Sequence, residues 1–201
     1  MAVTSAARSR FNRKLLAASI VIIVAATVAV AWQVYLNPKH ENTNQVSPNS
    51  SLTIVGADGQ QKDLNFSQVV TLGSYTSSGG YITEAGNVTF GNYTGVPMVT
   101  LLNLVGGLKN GENITAIGSD GYHVTFTYQQ VQGQGLETYD PTTLLPVEPS
   151  QPLTMIVAYY CNGTNLPSGQ GPFSIAIVGS QGLITPGVYW TYLLDKIEIT
   201  A

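Results

Sequence analysis

Residues 15 to 36, LLAASIVIIVAATVAVAWQVYL, form a run of 22 without one charged side chain, directly behind four basic residues, Arg8, Arg10, Arg13 and Lys14. As a helix such a run spans roughly 30 Å, the thickness of a bilayer's hydrocarbon core. Trp32 and Tyr35 stand at its far end, where amphipathic rings favour the headgroup region. A buried core helix seldom carries so long an uncharged run behind a basic cluster, so the segment reads as a transmembrane signal-anchor. The positive-inside rule then keeps residues 1–14 in the cytoplasm and places everything after Leu36 outside, as a single-pass protein of the cell membrane. Ala29-Val30-Ala31 also offers a small-residue cleavage site, and removal as a signal peptide is the competing reading. Both give the following domain the same topology. An apolar filament-core helix of archaellin or pilin type is a third reading, with no processing motif in its favour.

The remaining 165 residues hold four lysines, Lys39, Lys62, Lys109 and Lys196, against all 11 acids, a formal charge of −7. No arginine follows Arg13. Only 9% of the whole chain is charged, against roughly 25% in an ordinary soluble domain. Without a basic stripe, a nucleic-acid partner is excluded. One cysteine, Cys161, excludes an internal disulfide framework. Residues 37–51 lack apolar periodicity and read as a polar tether, so that one extracytoplasmic domain occupies 52–201. Its surface must be built from Ser, Thr, Asn, Gln, Gly and Tyr. Six positions match Asn-x-Ser/Thr and are glycosylation candidates: Asn49, Asn65, Asn87, Asn92, Asn113 and Asn162. Composition alone would yield several such matches. All six lie on the exported side.

Ser51 to Gly56 reads as a strand with Ala57-Asp58-Gly59 as its turn. Phe66, Val69 and Val70 recur at helical spacing, and Asn65 suits the cap of that short helix. Thr71 to Gly95 is polar and rich in Gly, Ser and Tyr, with NVTF as one short strand. Pro97 suits the first position of a second helix through Met98, Leu101, Leu102 and Val105, ended by Gly106-Gly107. His123 to Tyr128 alternates like a half-buried strand. LTMIVAYY (153–160) and FSIAIV (173–178) are apolar enough for central strands, joined by the hairpin-like CNGTNLPSGQGP. KIEIT closes the chain as a final strand. The order implies an α+β fold, mostly β with short helices.

The chemistry-bearing residues are few. His40 lies in the tether and His123 on a strand. With Cys161 they make no convergent metal set, and no metal ligands are assigned. No Gly-x-Ser-x-Gly turn occurs, and Gly133-x-Gly135 is too short for a dinucleotide loop. Asp120, Glu137, Asp140 and Glu148 fall in loops, where solvated acids are the ordinary reading. Cys161, at a strand end, reads as a buried and inert thiol, with pairing between chains or acylation as the alternatives. Ten tyrosines after the anchor read as core and interface residues rather than a sugar-stacking surface.

Four segments resemble a known family. Tyr93-Thr94-Gly95-Val96-Pro97 with the following LLNLVGG resembles the "tGVPL…LL…aG" segment of the sulfite-oxidase-type molybdopterin-binding domain. Gly118-Ser119-Asp120-Gly121-Tyr122 resembles its "sDGY" turn. LTMIVAYYCNGTNLPSGQGPFSIAIVG is similar to its "LAye.nG.pLp…GPlRlvvpg" hairpin, and YWTYLLDKIEI to its closing "w.k.v.kIei". The pieces keep the family's order over roughly residues 52–200. The resemblance implies a β-rich, sulfite-oxidase molybdopterin-binding-domain-like fold with short helices, preceded by one transmembrane helix. It also implies a molybdenum-ligating Cys before the "tGVP" segment, and Thr71 to Gly95 contains none. The hairpin's usual Arg is Ser174 here. The expectation is therefore a degenerate member with no cofactor and no catalytic residues. Its role would be that of a binding or structural module, an accessory subunit partnered by other membrane or surface proteins. A molybdopterin oxidoreductase with an atypical ligand set and a surface-filament subunit are the alternatives.

Overall fold

The computed structural model describes residues 50–167 and 169–200. The basic segment, the uncharged run 15–36, Asn49 and His40 lie outside the described residues. Among the described residues no helix is long and apolar enough to cross a membrane.

Two sheets carry the domain. The first contains β1 (Ser51–Val55), β2 (Gln61–Asn65), β5 (Asn113–Gly118), β6 (His123–Thr127) and β11 (Leu194–Thr200), in the order β2-β1-β11-β5-β6. The final strand runs parallel to β1, with Ile54 opposite Ile197. The second sheet contains β3 (Tyr75–Ile82), β4 (Val88–Pro97), β7 (Thr154–Cys161), β8 (Thr164–Asn165) and β10 (Ile184–Pro186), in the order β10-β3-β4-β7-β8. Strand β9 (Ser174–Val178) pairs with both β3 and β7. Strand β1 begins at Ser51, which the sequence reading places at the end of the tether.

Alternation explains the main core. Leu52 and Ile54 of β1, Ile114 and Ala116 of β5, and Ile197 and Ile199 of β11 turn one face of the first sheet inward. They meet Val96, Met155, Val157, Phe173 and Ile175 of the second sheet and its approach. Because β7 is buried on both faces, its residues between also find a core: Ile156 and Ala158 pack with Tyr93, Trp190 and Leu166 in a second cluster. This double burial is why the segment reads as a continuous apolar run.

The short helices sit at strand ends. Helix α1 (Phe66–Thr71) is capped by Asn65, whose side chain accepts from the Gln68 N–H at 2.9 Å while Gln68 returns a bond to the Asn65 N–H. That reciprocal box is what the spacing predicts. Asn65→Ala should cost about 1 kcal/mol in urea unfolding, with an unchanged denaturant slope. Helix α2 (Met98–Leu102) continues as a 3-10 turn through Val105, and Gly106 ends it at φ 95°. Pro97 is the last residue of β4 rather than the first of the helix, because its extended backbone still pairs with Ile156. Helix α3 (Tyr128–Val131) corrects another boundary: Thr127 and Gln130 form a second capping box, so Tyr128 leaves the strand.

The largest correction concerns Thr71 to Gly95. It is a long hairpin, β3 paired with β4 from Tyr75↔Gly95 to Ile82↔Val88. Facing glycines at Gly79↔Gly91 leave no apolar alternation to read there.

Candidate functional site

The sequence-selected polar residues do not converge. His123 is exposed on β6, its Nδ1 3.3 Å from the Gly121 carbonyl oxygen, on a different sheet from Cys161. Asp120 accepts from the Tyr122 N–H at 3.0 Å within its own turn. Asp140 accepts from the N–H groups of Thr143 and Thr142 at 2.7 and 2.9 Å, and these bonds hold its carboxyl below the usual range. Glu137 accepts from the Tyr139 hydroxyl, and Glu148 is exposed. These acids shape turns. Among the described residues no three His, Cys, Asp or Glu side chains gather as metal ligands would.

The sequons are spread more evenly. Asn65 caps α1. Asn87 is exposed at the β3–β4 turn, and Asn113, half-buried, opens β5. Asn92 is exposed on β4. Asn162, at φ 51° in the β7–β8 turn, accepts from the Asn92 N–H at 2.9 Å through its side-chain oxygen.

What the fold does gather is an aromatic cluster around Cys161. A register shift on β7 at Thr94/Gly95 puts Cys161 beside Tyr93 on the face opposite the main core. The Trp190 ring lies 5.0 Å from that of Tyr93 and 5.1 Å from that of Tyr81, and the Tyr192 ring lies 6.0 Å from Tyr81. The Trp190 indole donates to the Thr185 hydroxyl at 2.9 Å, with both residues buried. Tyr93 and Cys161 face each other across the β4–β7 ladder, and the Tyr192 ring packs edge-on against Tyr81. Composition points to core tyrosines, but which ones meet depends on a pairing across 68 residues of sequence between Tyr93 and Cys161.

Burial governs the titration of this cluster. It pushes the Tyr93 and Tyr192 hydroxyls well above their ordinary value near 10 and pushes the Cys161 thiol up as well. The folded state therefore holds these phenolic protons more tightly than the unfolded chain. Stability is fully present below about pH 10 and falls as pH rises beyond it. Urea midpoints from pH 8 to 11.5 should show this fall, with a shallower one in Tyr93→Phe. The thiol should alkylate slowly at neutral pH, because the neutral form is favoured. Alkylation at the rate of a free cysteine at neutral pH would contradict that burial.

No family model and no curated protein matches the chain. Among solved structures it is similar to a chain of the sulfane dehydrogenase SoxCD from Paracoccus pantotrophus, with a TM-score of 0.58 and 16% identity. The match covers 76% of this chain and 38% of that one, so this chain spans well under half of its neighbour's length. The likeness supports the fold: β-rich, with few short helices, consistent with the α+β sulfite-oxidase-like architecture that the sequence resemblance implies.

Proposed function

We propose that the chain is a membrane-anchored extracytoplasmic binding or structural module, an accessory subunit of a membrane or cell-surface complex with no catalysis of its own. The observation that carries this reading is the placement of its thiol. Cys161 is half-buried at the end of β7, opposite Tyr93 and packed against the aromatic cluster. Ser174 is buried on β9, its hydroxyl 3.2 Å from the Ile175 carbonyl oxygen to which it donates. The molybdopterin implied by the resemblance does not fit this set. The thiol lies in the later hairpin, not before Gly95-Val96-Pro97 where the resemblance implies the ligand, and among the described residues no three potential metal-ligating side chains gather around it. A pyranopterin phosphate would meet no guanidinium, since no arginine follows Arg13. Uncharged residues 15–36 supply the anchor, and the basic cluster before them supplies the orientation.

Protease added to intact cells should remove the domain after Leu36. Recovery of the full-length protein in mild detergent should bring down a stoichiometric membrane or surface partner. Protection of the domain would overturn the topology, and a chain that purifies alone would overturn the subunit reading.

A further inference from the structure

The β4 strand outruns its neighbour. Pairing with β7 ends at Tyr93↔Cys161, and Asn162 closes the ladder by donating its N–H to the Asn92 carbonyl at 2.8 Å. The antiparallel pattern turns the backbone groups of Phe90 and Val88 to the same edge as those of Asn92, past the end of β7. That edge carries no charge. Val88 and Phe90 are exposed, Phe90 at 47%. Uncovered apolar edges pair with other chains, and proteins ordinarily block them with lysine or proline. Here the segment reads Asn87-Val88-Thr89-Phe90-Gly91-Asn92-Tyr93-Thr94, with an acceptor sequon at each end.

Strand alternation puts Val88, Phe90 and Asn92 on one face of the sheet. Phe90 lies opposite Gly80, and a side chain at Gly182 would begin 3.6 Å from its ring. One side of the ring therefore rests on glycine backbone while the ring remains half exposed to solvent. Asn92 projects from the same face two residues on. A sugar attached there can lay its C–H face on the open side of the ring, burying an aromatic surface at little cost in ordering.

We infer that Asn92 is N-glycosylated and that its first sugar stacks on Phe90, covering the free β4 edge. The inference rests on the extracytoplasmic placement proposed above. The donor is a lipid-phosphate-linked oligosaccharide supplied at the outer membrane face. The sugar C1–O bond to phosphate breaks and the C1–Nδ2 bond forms. The lipid phosphate leaves with the electron pair, and the amide gives up one proton.

Glycopeptide mass spectrometry on the full-length protein from its native membrane tests this, with protease shaving of the same cells alongside. A glycan on the Asn92 peptide, lost in Asn92→Gln, is the expected result. A bare Asn92 in a domain that external protease removes would overturn the inference and leave the topology standing. A domain protected from protease would overturn both. Stacking has its own readout: Phe90→Ala should lower the Tm by about 2–4 °C more in the glycosylated protein than after enzymatic glycan removal. Equal losses would refute the sugar–ring contact.

Discussion

Trp190→Ala should destabilise the domain by about 4–8 kcal/mol, lowering the Tm by roughly 10–30 °C. Removing the indole empties the centre of the second cluster, where Tyr81 and Tyr93 both lean on it. A large-to-small core change of this kind costs about 3–5 kcal/mol. The Thr185 hydroxyl then loses its donor while fully buried, adding about 1–3 kcal/mol. Against a typical total of 5–15 kcal/mol, that is a large share of the stability. Trp190→Phe separates the two causes. It keeps most of the ring contact and loses only the indole N–H, so its cost should be about 1–3 kcal/mol. Urea unfolding of both variants is the measurement. Near-equal costs would mean that packing contributes less than the hydrogen bond.

Gly95→Val is the second large effect. Gly95 lies at the register shift between β4 and β7, where the two backbones approach more closely than a side chain permits. A Cβ there would lie 2.2 Å from the Val157 carbonyl oxygen and 2.7 Å from the Ala158 Cα. Those atoms belong to a strand whose Val157 and Ala158 are fully buried, so it cannot retreat. Overpacking against fixed backbone should cost at least about 3 kcal/mol, and the soluble yield should collapse. Gly169→Ala is the control. Its new methyl meets nothing within 4 Å, and the change should stay within about 0.5 kcal/mol. A Gly95→Val protein as stable as the control would show that β4 and β7 do not pair in this register.

These two positions mark what the sequence does and does not carry. Strands β7 and β9 are legible because burial on both faces demands an unbroken apolar run, as TMIVAYY and SIAIV supply. β6 and the end of β11 are legible from alternation, and α1 from the Asn65 cap and the 3.6 period. β3 is not, because its exposed face carries Thr76 and Ser78 and its middle is Gly79-Gly80, which pack against partner backbone rather than apolar side chains. β2 is an edge strand with only Leu64 half buried, so it has no apolar pattern to show. β10 is three residues held by parallel pairing to β3, a relation invisible locally. The candidate site follows the same division. Its residue types are legible: a lone thiol, few histidines and many tyrosines. Its geometry is not, because the contact of Cys161 with Tyr93 and of Trp190 with Tyr81 is fixed by strand register and by the chain crossing back after β10.

The fold is sulfite-oxidase-like, and on the function proposed above the protein works without the cofactor that the sequence resemblance implies. Molybdenum and pterin analysis of the full-length protein, purified from its native membrane, decides that proposal. Neither molybdenum nor pterin fluorescence should rise above background. Molybdenum approaching one atom per chain, together with pterin fluorescence, would contradict it.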